Sequence, residues 1–464
     1  MKSIAIIGGG FSGTLSAVNL IMKADIPLTI YLIEKDDPKT KGIAYSTDDE
    51  THLLNVPALK VSALADQHNH FIDWLDKAKE SGLINDFAHT DFLPRKLYGQ
   101  YLNELLEQSE KIAKIKNINL IKINHDQVID LDIKEEKSII YFEHHDSVTV
   151  DKTILALGNY PPANINIENP EFYSDNNYFQ NPWNINALKQ IETETNVLLI
   201  GSGLTMVDLA LSLAKNNHQG KIFVVSPHGY LPEPHEKIVS YPAFFDKNNL
   251  PVTCLQALKI VRNEIIKAKN QGISYKSVID SIRPFIQDIW LGFDIVEKKR
   301  FMRYLRHRWG VLRHRVPVQA YNKINKLIES GQLEIFAGKI KSFTNKDHLI
   351  DVQLKRRNDN QIISFPVSCI FNCTGPESNY LNINEPLIKN IIKKGLIKPD
   401  MMNLGIDATI KGEIINFENN ISEQIFTLGS TLKGILWEST AIPEIRVQAD
   451  KLADLILKQL KGKI

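Results

Sequence analysis

The feature that most constrains this chain is a supersecondary pattern used twice. Residues 3–35 read SIAIIGGGFSGTLSAVNLIMKADIPLTIYLIEK, and residues 196–226 read NVLLIGSGLTMVDLALSLAKNNHQGKIFVVS. Each passes from an apolar run through a glycine-rich turn and an amphipathic segment to a second apolar run. Ile4–Ile7 has no polar position, as in a strand buried on both faces. Leu15, Val18, Leu20 and Ile21 recur at roughly helical spacing, and Leu28–Ile33 reads as a second strand. This is a βαβ unit, and two of them predict an α/β fold with two Rossmann-type dinucleotide-binding domains. At 464 residues the chain exceeds one ordinary core, so two or three domains are expected.

Gly8, Gly10 and Gly13 form a G-x-G-x-x-G pattern between strand and helix. Gly8 permits the tight turn, Gly10 lets backbone approach a diphosphate, and Gly13 lets the helix pack on the strand. Phe11 and Ser12 lie in the first helical turn, where free N–H groups face an anion. Glu34 ends the second strand, where a carboxylate accepts from a ribose hydroxyl and repels a 2′-phosphate. The first unit therefore suits FAD or NAD.

The second unit departs from this pattern. Gly201 and Gly203 are present, but Met206 stands at the third glycine position. Thr205 is a candidate helix cap or phosphate contact. The following strand ends in Ser226-Pro227-His228-Gly229, with no acid. Ser226 and His228 are candidate contacts there, and the missing carboxylate favours NADPH over NADH. No Arg stands at that strand end in the sequence. The bland alternative is a degenerate Rossmann unit retained for packing.

The formal net charge is +1, which argues against a nucleic-acid or anionic-membrane partner. Three cysteines, Cys254, Cys369 and Cys373, do not suggest a disulfide-stapled secreted protein. No apolar run is long enough to span a membrane, and a cytoplasmic location is the expectation. No C-x-x-C accompanies either Rossmann unit, no G-x-S-x-G is present, and His and Cys show no metal-ligand spacing.

Between the units, alternating segments from Asn119 to Phe142 read as a small antiparallel layer, and Gly158 marks the exit from the first domain. Residues 255–330 are mostly helical in pattern. Within them KKRFMRYLRHRWGVLRHR (298–315) carries eight Lys or Arg and no acid. Arg300, Arg303 and Arg306 or His307 are expected on one helical face, with Trp290 and Trp309 packing the insertion. Its expected role is to shape a cleft for an anionic substrate. After Phe336 strands return, and Pro443–Leu460 reads as a closing helix with Glu444 in its first turn.

The chain resembles a bacterial family of FAD/NAD(P)-binding proteins, related to flavin-dependent monooxygenases. The resemblance rests on GIAYST (42–47), HLLNVPA (52–58), FLPRKLYGQYL (92–102), QNPW (180–183), GSGLTMVD (201–208), RHRWGVLRHR (306–315), NCTGPESNY (372–380) and GSTLKGILWESTAIPEIRVQA (429–449). It implies a split FAD domain, residues 1–160 and 345–464. A nicotinamide domain, 161–344, is inserted and carries a helical basic insertion at about 232–318. It further implies that Asn55, Pro57, Arg95, Gly158 and the Gly429–Gly434 turn approach FAD, and Gly375 joins the cofactor-binding positions.

Two functions follow as expectations. The first is an FAD-dependent oxidoreductase reduced by NADPH. It is monooxygenase-like, with O₂ as candidate co-substrate and a small anionic or amine-bearing metabolite as substrate. The second is a flavin- and nicotinamide-binding redox sensor with little turnover. Related monooxygenases carry a His-containing fingerprint before the second Rossmann unit. Here Phe179-Gln180-Asn181-Pro182-Trp183 stands in that place without the His. No catalytic acid or base and no oligomeric state are assigned.

Overall fold

The computed structural model describes residues 1–36, 42–184, 187–188 and 191–462. The first unit forms as the periodicity requires. β1 (Lys2–Ile7) leads into the helix Phe11–Lys23 and on to β2 (Leu28–Glu34), parallel to β1. Ile4, Ala5 and Ile6 are fully buried, because helices cover one face of the sheet and a small antiparallel layer packs on the other. β3 (Asn119–Asn124) pairs parallel with β2. This corrects the expectation of an antiparallel strand there. β3 lies at the sheet edge and is only partly buried, so it shows the alternation of a one-sided strand.

The antiparallel layer is instead β4 (Val128–Lys134), β5 (Lys137–Phe142) and β6 (Val148–Val150). β7 (Lys152–Leu155) then returns to the free side of β1. The second domain holds β8 (Tyr178–Phe179), β9 (Val197–Ile200), β10 (Ile222–Ser226), β11 (Leu333–Lys346), β12 (Leu349–Arg356), β13 (Ile362–Val367) and β14 (Cys369–Asn372). Its sheet order is β13-β12-β11-β10-β9-β14-β8. The chain rejoins the first sheet only with β15 (Glu413–Ile415) and β16 (Ile421–Thr427), giving β15-β16-β7-β1-β2-β3. β12, β13 and β14 thus extend the second sheet, and the return to the first comes only at β15. No described helix is long and apolar enough to cross a membrane.

The helical insertion lies between β10 and the helix Val318–Glu329. It comprises Cys254–Asn270, Tyr275–Ser281, Ile286–Gly292, Ile295–Tyr304 and Arg306–Arg313. Its core gathers Phe285, Ile289, Trp290 and Trp309 with Trp437 from the C-terminal segment. The two tryptophans pack the insertion, as expected. The predicted basic face does not form. The chain breaks at Leu305 between two helices, and Arg300 pairs with Glu297 in its own helix.

A buried ion pair joins the two Rossmann units. Arg95 Nη1 lies 2.8 Å from Asp208 Oδ2 on the helix Leu204–Lys215, and both side chains are about nine-tenths buried. Arg95 Nε also donates to the Leu53 carbonyl at 2.9 Å. Beside it, Ser212 Oγ donates to Asp49 at 2.6 Å, so the Ser212 oxygen is free to accept from His52 Nε2 at 2.9 Å. His52 Nδ1 then accepts from Thr47 at 2.7 Å. Burial pulls His52 below its ordinary pKa, so the ring is neutral and this tautomer closes the chain of donors. Trp183 packs edge-on against His52 at 5.7 Å. Five of the segments that carry the family resemblance therefore meet at one interface.

Removing one member of a buried pair strands the other charge, which costs about 3–5 kcal/mol. Asp208→Ala is accordingly expected to lower the urea midpoint sharply, whereas Arg95→Met combined with Asp208→Leu recovers most of the loss. Acid acts on the neighbouring Asp49. Burial pushes its carboxyl up, but Ser212, the Thr51 N–H and Lys215 outweigh this and hold it well below 3.8. Its contribution is present above 3.8 and is lost as pH falls further. Asp49→Asn should therefore give a shallower acid limb when urea midpoints are followed from neutral pH downward.

Candidate functional site

The carboxyl ends of β1, β2, β7 and β16 converge at one edge of the first sheet, where open α/β sheets place their ligands. Gly8 turns there with φ +106°, and its N–H donates to Ile33 O at 2.9 Å. A Cβ on Gly13 would lie 1.8 Å from the Gly8 carbonyl oxygen, so helix and turn touch through backbone alone. Gly10 is the N-cap of Phe11–Lys23. It supplies no side-chain cap, and the first turn holds no acid. The leading N–H groups of this helix, at Phe11, Ser12 and Gly13, are left for an anion. The insertion behaves differently: Thr253, Ser274 and Asp294 cap their own helices.

Other predicted positions join this edge. Glu34 Oε2 accepts from the Gly9 N–H at 2.8 Å and Oε1 from the Asp36 N–H at 3.2 Å. The carboxylate therefore braces the turn it was expected to serve. Gly429 sits against Ser12, because a Cβ there would lie 2.9 Å from Ser12 Oγ. Its N–H donates to Gln448 Oε1 at 2.7 Å, and Ser430 Oγ donates to the Gly158 carbonyl. Gly434 faces away into packing. A Cβ there would lie 2.1 Å from Asp400, and its carbonyl accepts from Trp290 Nε1 at 2.9 Å.

Two predicted contacts, Arg95 and Asn55, lie at the domain interface. Arg95 is committed to Asp208, and the Asn55 carbonyl accepts from His235 Nε2 at 2.9 Å. Pro57 precedes the short turn Ala58–Lys60.

The second glycine turn repeats the first. Gly201 has φ +103°, and a Cβ there would lie 2.6 Å from the Cys373 carbonyl. Gly375 follows β14 at the same sheet edge with φ +92°. Gly203 is the uncapped N-cap of Leu204–Lys215, again with no acid in the first turn. Thr205 is inside that helix, so it is not the cap. Capping needs extended backbone, which Gly203 supplies at φ −87°, ψ −162°. Ser226 Oγ bonds Ser202 Oγ at 2.9 Å and accepts from the Gly229 N–H at 3.0 Å, tying turn to strand end.

Tertiary folding brings cations to this edge that local sequence did not place there. The His228 ring stacks on Tyr230 at 5.2 Å and lies 4.8 Å from His307. Burial, then Arg357 and Arg308, pull His228 below its ordinary pKa. His307 is drawn down to about 4 by burial, Arg306 and His228. Both rings are neutral at neutral pH, and the arginines carry the charge. Arg357 Nη1 also donates to the Pro227 carbonyl at 3.3 Å. Burial and Arg306 push Lys433 below its usual value while Glu438 opposes them. Glu438 is the acid here, held by Trp309 Nε1 at 3.1 Å and Arg313 at 3.5 Å. Among the described residues, no group of three His, Cys, Asp or Glu could hold a metal ion.

Comparison with known proteins agrees with this geometry. Residues 5–160 match the model of a family described as FAD-NAD(P)-binding, which bears out the resemblance over that part of the chain. No curated protein matches the sequence. Among solved structures, L-lysine 6-monooxygenase from Pseudomonas syringae superposes with a TM-score of 0.67 at 14% identity, covering 99% of each chain. An ornithine N-hydroxylase of Kutzneria sp. 744, with reduced FAD, NADP+ and L-ornithine, gives 0.66 at 12%, again over 99% of both chains. A bacillithiol disulfide reductase of Staphylococcus aureus gives 0.58 at 13% over 99% of both. These likenesses establish the two-dinucleotide-domain fold.

Gly13→Ala is the direct test of the first turn. A methyl group 1.8 Å from a carbonyl oxygen must separate helix from strand. The variant is expected to purify without a dinucleotide that the parent retains, as read from the visible spectrum and from released nucleotide.

Proposed function

We propose that the chain is an FAD-dependent oxidoreductase reduced by NADPH, with monooxygenase-like chemistry on a small metabolite. The observation that carries this reading is the pair of uncapped glycine-turn helices at the carboxyl ends of parallel strands in the two sheets. Phe11, Ser12 and Gly13 offer N–H groups to the FAD diphosphate, and Glu34 accepts from its ribose. Gly201, Gly203, Thr205, Ser226 and His228 form the nicotinamide side, with Arg357 set for the 2′-phosphate. Bound flavin would supply two-electron transfer from nicotinamide and reactivity toward O₂. The protein's part is to hold both nucleotides, keep His228 and His307 neutral, and surround the cleft with cations.

The two N-hydroxylating neighbours support monooxygenation over disulfide reduction. The cysteines point the same way. Burial pushes Cys369 up to about 12 and Cys373 higher still, while Cys254 sits in the insertion and is pushed up to about 11. Thiols held protonated are poor nucleophiles.

Anaerobic mixing with NADPH and with NADH tests the reading. NADPH is expected to bleach the flavin quickly and NADH slowly. A flavin that neither nucleotide reduces would overturn it and leave the sensor alternative. Arg357→Ala removes one charged hydrogen bond, ~1.5–3 kcal/mol. It should weaken NADPH about tenfold or more while leaving NADH unchanged, measured as the nucleotide dependence of the reduction rate.

A further inference from the structure

The helical insertion encloses a space that neither glycine turn uses. Its helices, with Phe245 and Trp437, surround a cavity of about 530 Å³. Protein interiors hold few voids larger than a water molecule, and ligand pockets run from roughly 300 to 1,000 Å³. The space is thus of ligand size rather than a packing fault. Its wall is branched aliphatic and aromatic, with Ile265, Ile282, Ile289 and Trp290 among the lining side chains. No Asp, Glu, Lys or His lines it. The Cys254 thiol donates to the Glu297 carbonyl at 3.1 Å and is no free nucleophile.

Two charged groups reach the cavity, Arg262 and Arg308, and both are exposed. Four other arginines of the insertion are paired with acids: Arg283 with Glu444, Arg300 with Glu297, Arg313 with Glu438 and Arg315 with Asp280. Arg262 and Arg308 have no acid partner among the described residues. Leu258, on the same lining, is 46% exposed. On the same lining Trp437 meets Trp290 at 5.0 Å, directly after the turn that carries Gly429 and Gly434. The cavity therefore carries two exposed cations on its lining and also borders the C-terminal segment of the first dinucleotide-binding domain.

We propose that this cavity binds an amphipathic monoanion, a hydrocarbon chain inside the insertion with its carboxylate at Arg262 and Arg308. The sign of charge and the apolar wall exclude a free diamine or amino acid, whose ammonium would meet two guanidiniums and no carboxylate. That this ligand is also the substrate rests on the proposed function; its binding does not.

Isothermal titration of the purified protein, with its cofactor content as isolated, tests the site. Decanoate is expected to bind saturably, while decylamine and lysine give no saturable heat. Arg262→Gln should weaken decanoate about tenfold. Ala257→Trp should fill the cavity and abolish binding with the flavin spectrum and circular dichroism unchanged. Should that variant misfold, Leu258→Trp at the exposed rim replaces it. No decanoate binding, equal binding of decylamine, or parent-like binding by a folded blocking variant would overturn the proposal. NADPH reduction is followed in the same preparation. Decanoate binding with a flavin that NADPH cannot reduce would sink the proposed function and leave the cavity assignment standing. Normal reduction without decanoate binding would sink the assignment alone.

Discussion

The buried contact between Arg95 and Asp208 sets the relation of everything else. It is the charged centre of an interface that also holds Thr47, His52, Asp49 and Ser212 in one chain of hydrogen bonds. Burial drives the Asp208 carboxyl upward while Arg95 and His52 oppose that drive. Such pairs add little net stability over an apolar replacement, but they penalise any arrangement that separates them. The two glycine turns, each built within its own sheet, thereby acquire a defined separation. Arg95 acts from this position through the helix Leu204–Lys215, whose uncapped end follows the second glycine turn.

A second clamp works from the opposite side. The insertion grips the C-terminal segment through Trp290 to the Gly434 carbonyl, Trp309 to Glu438 and Arg283 to Glu444. Glu444 starts the closing helix Ile442–Leu460, and Gln448 of that helix holds the Gly429 N–H. Packing of the insertion is therefore linked by a short covalent and hydrogen-bonded path to the first glycine turn. Occupancy of the insertion and the geometry of the first site share this support.

Much of this was legible in the chain because it is local. A strand buried on both faces must lack polar residues, as at Ile4–Ile7, and a turn without room for a Cβ must hold glycine, as at Gly8 and Gly13. Edges and partners are less local. Asn119–Asn124 alternates like an antiparallel strand although it is the parallel edge of the first sheet. β12 and β13 extend the second sheet because β11 turns directly into β12 by a hairpin and β12 pairs with β13. The run of cations from Lys298 to Arg315 reads as one stripe, yet a helix break at Leu305 divides it, and Glu297 and Glu438 neutralise part of it.

The sequence by itself determined the two βαβ units, the glycine turns and the uncharged second strand end. Each depends on steric and periodic rules that act within some thirty residues. Only the tertiary structure decided what surrounds them. Arg308 and Arg357 reach His228 from the insertion and from a loop beyond β12. Arg95 meets Asp208 across 113 positions of chain, and Trp437 closes a cavity whose other walls lie in the insertion. Electrostatic and packing contacts of this kind depend on distance in space, and no spacing along the chain encodes them.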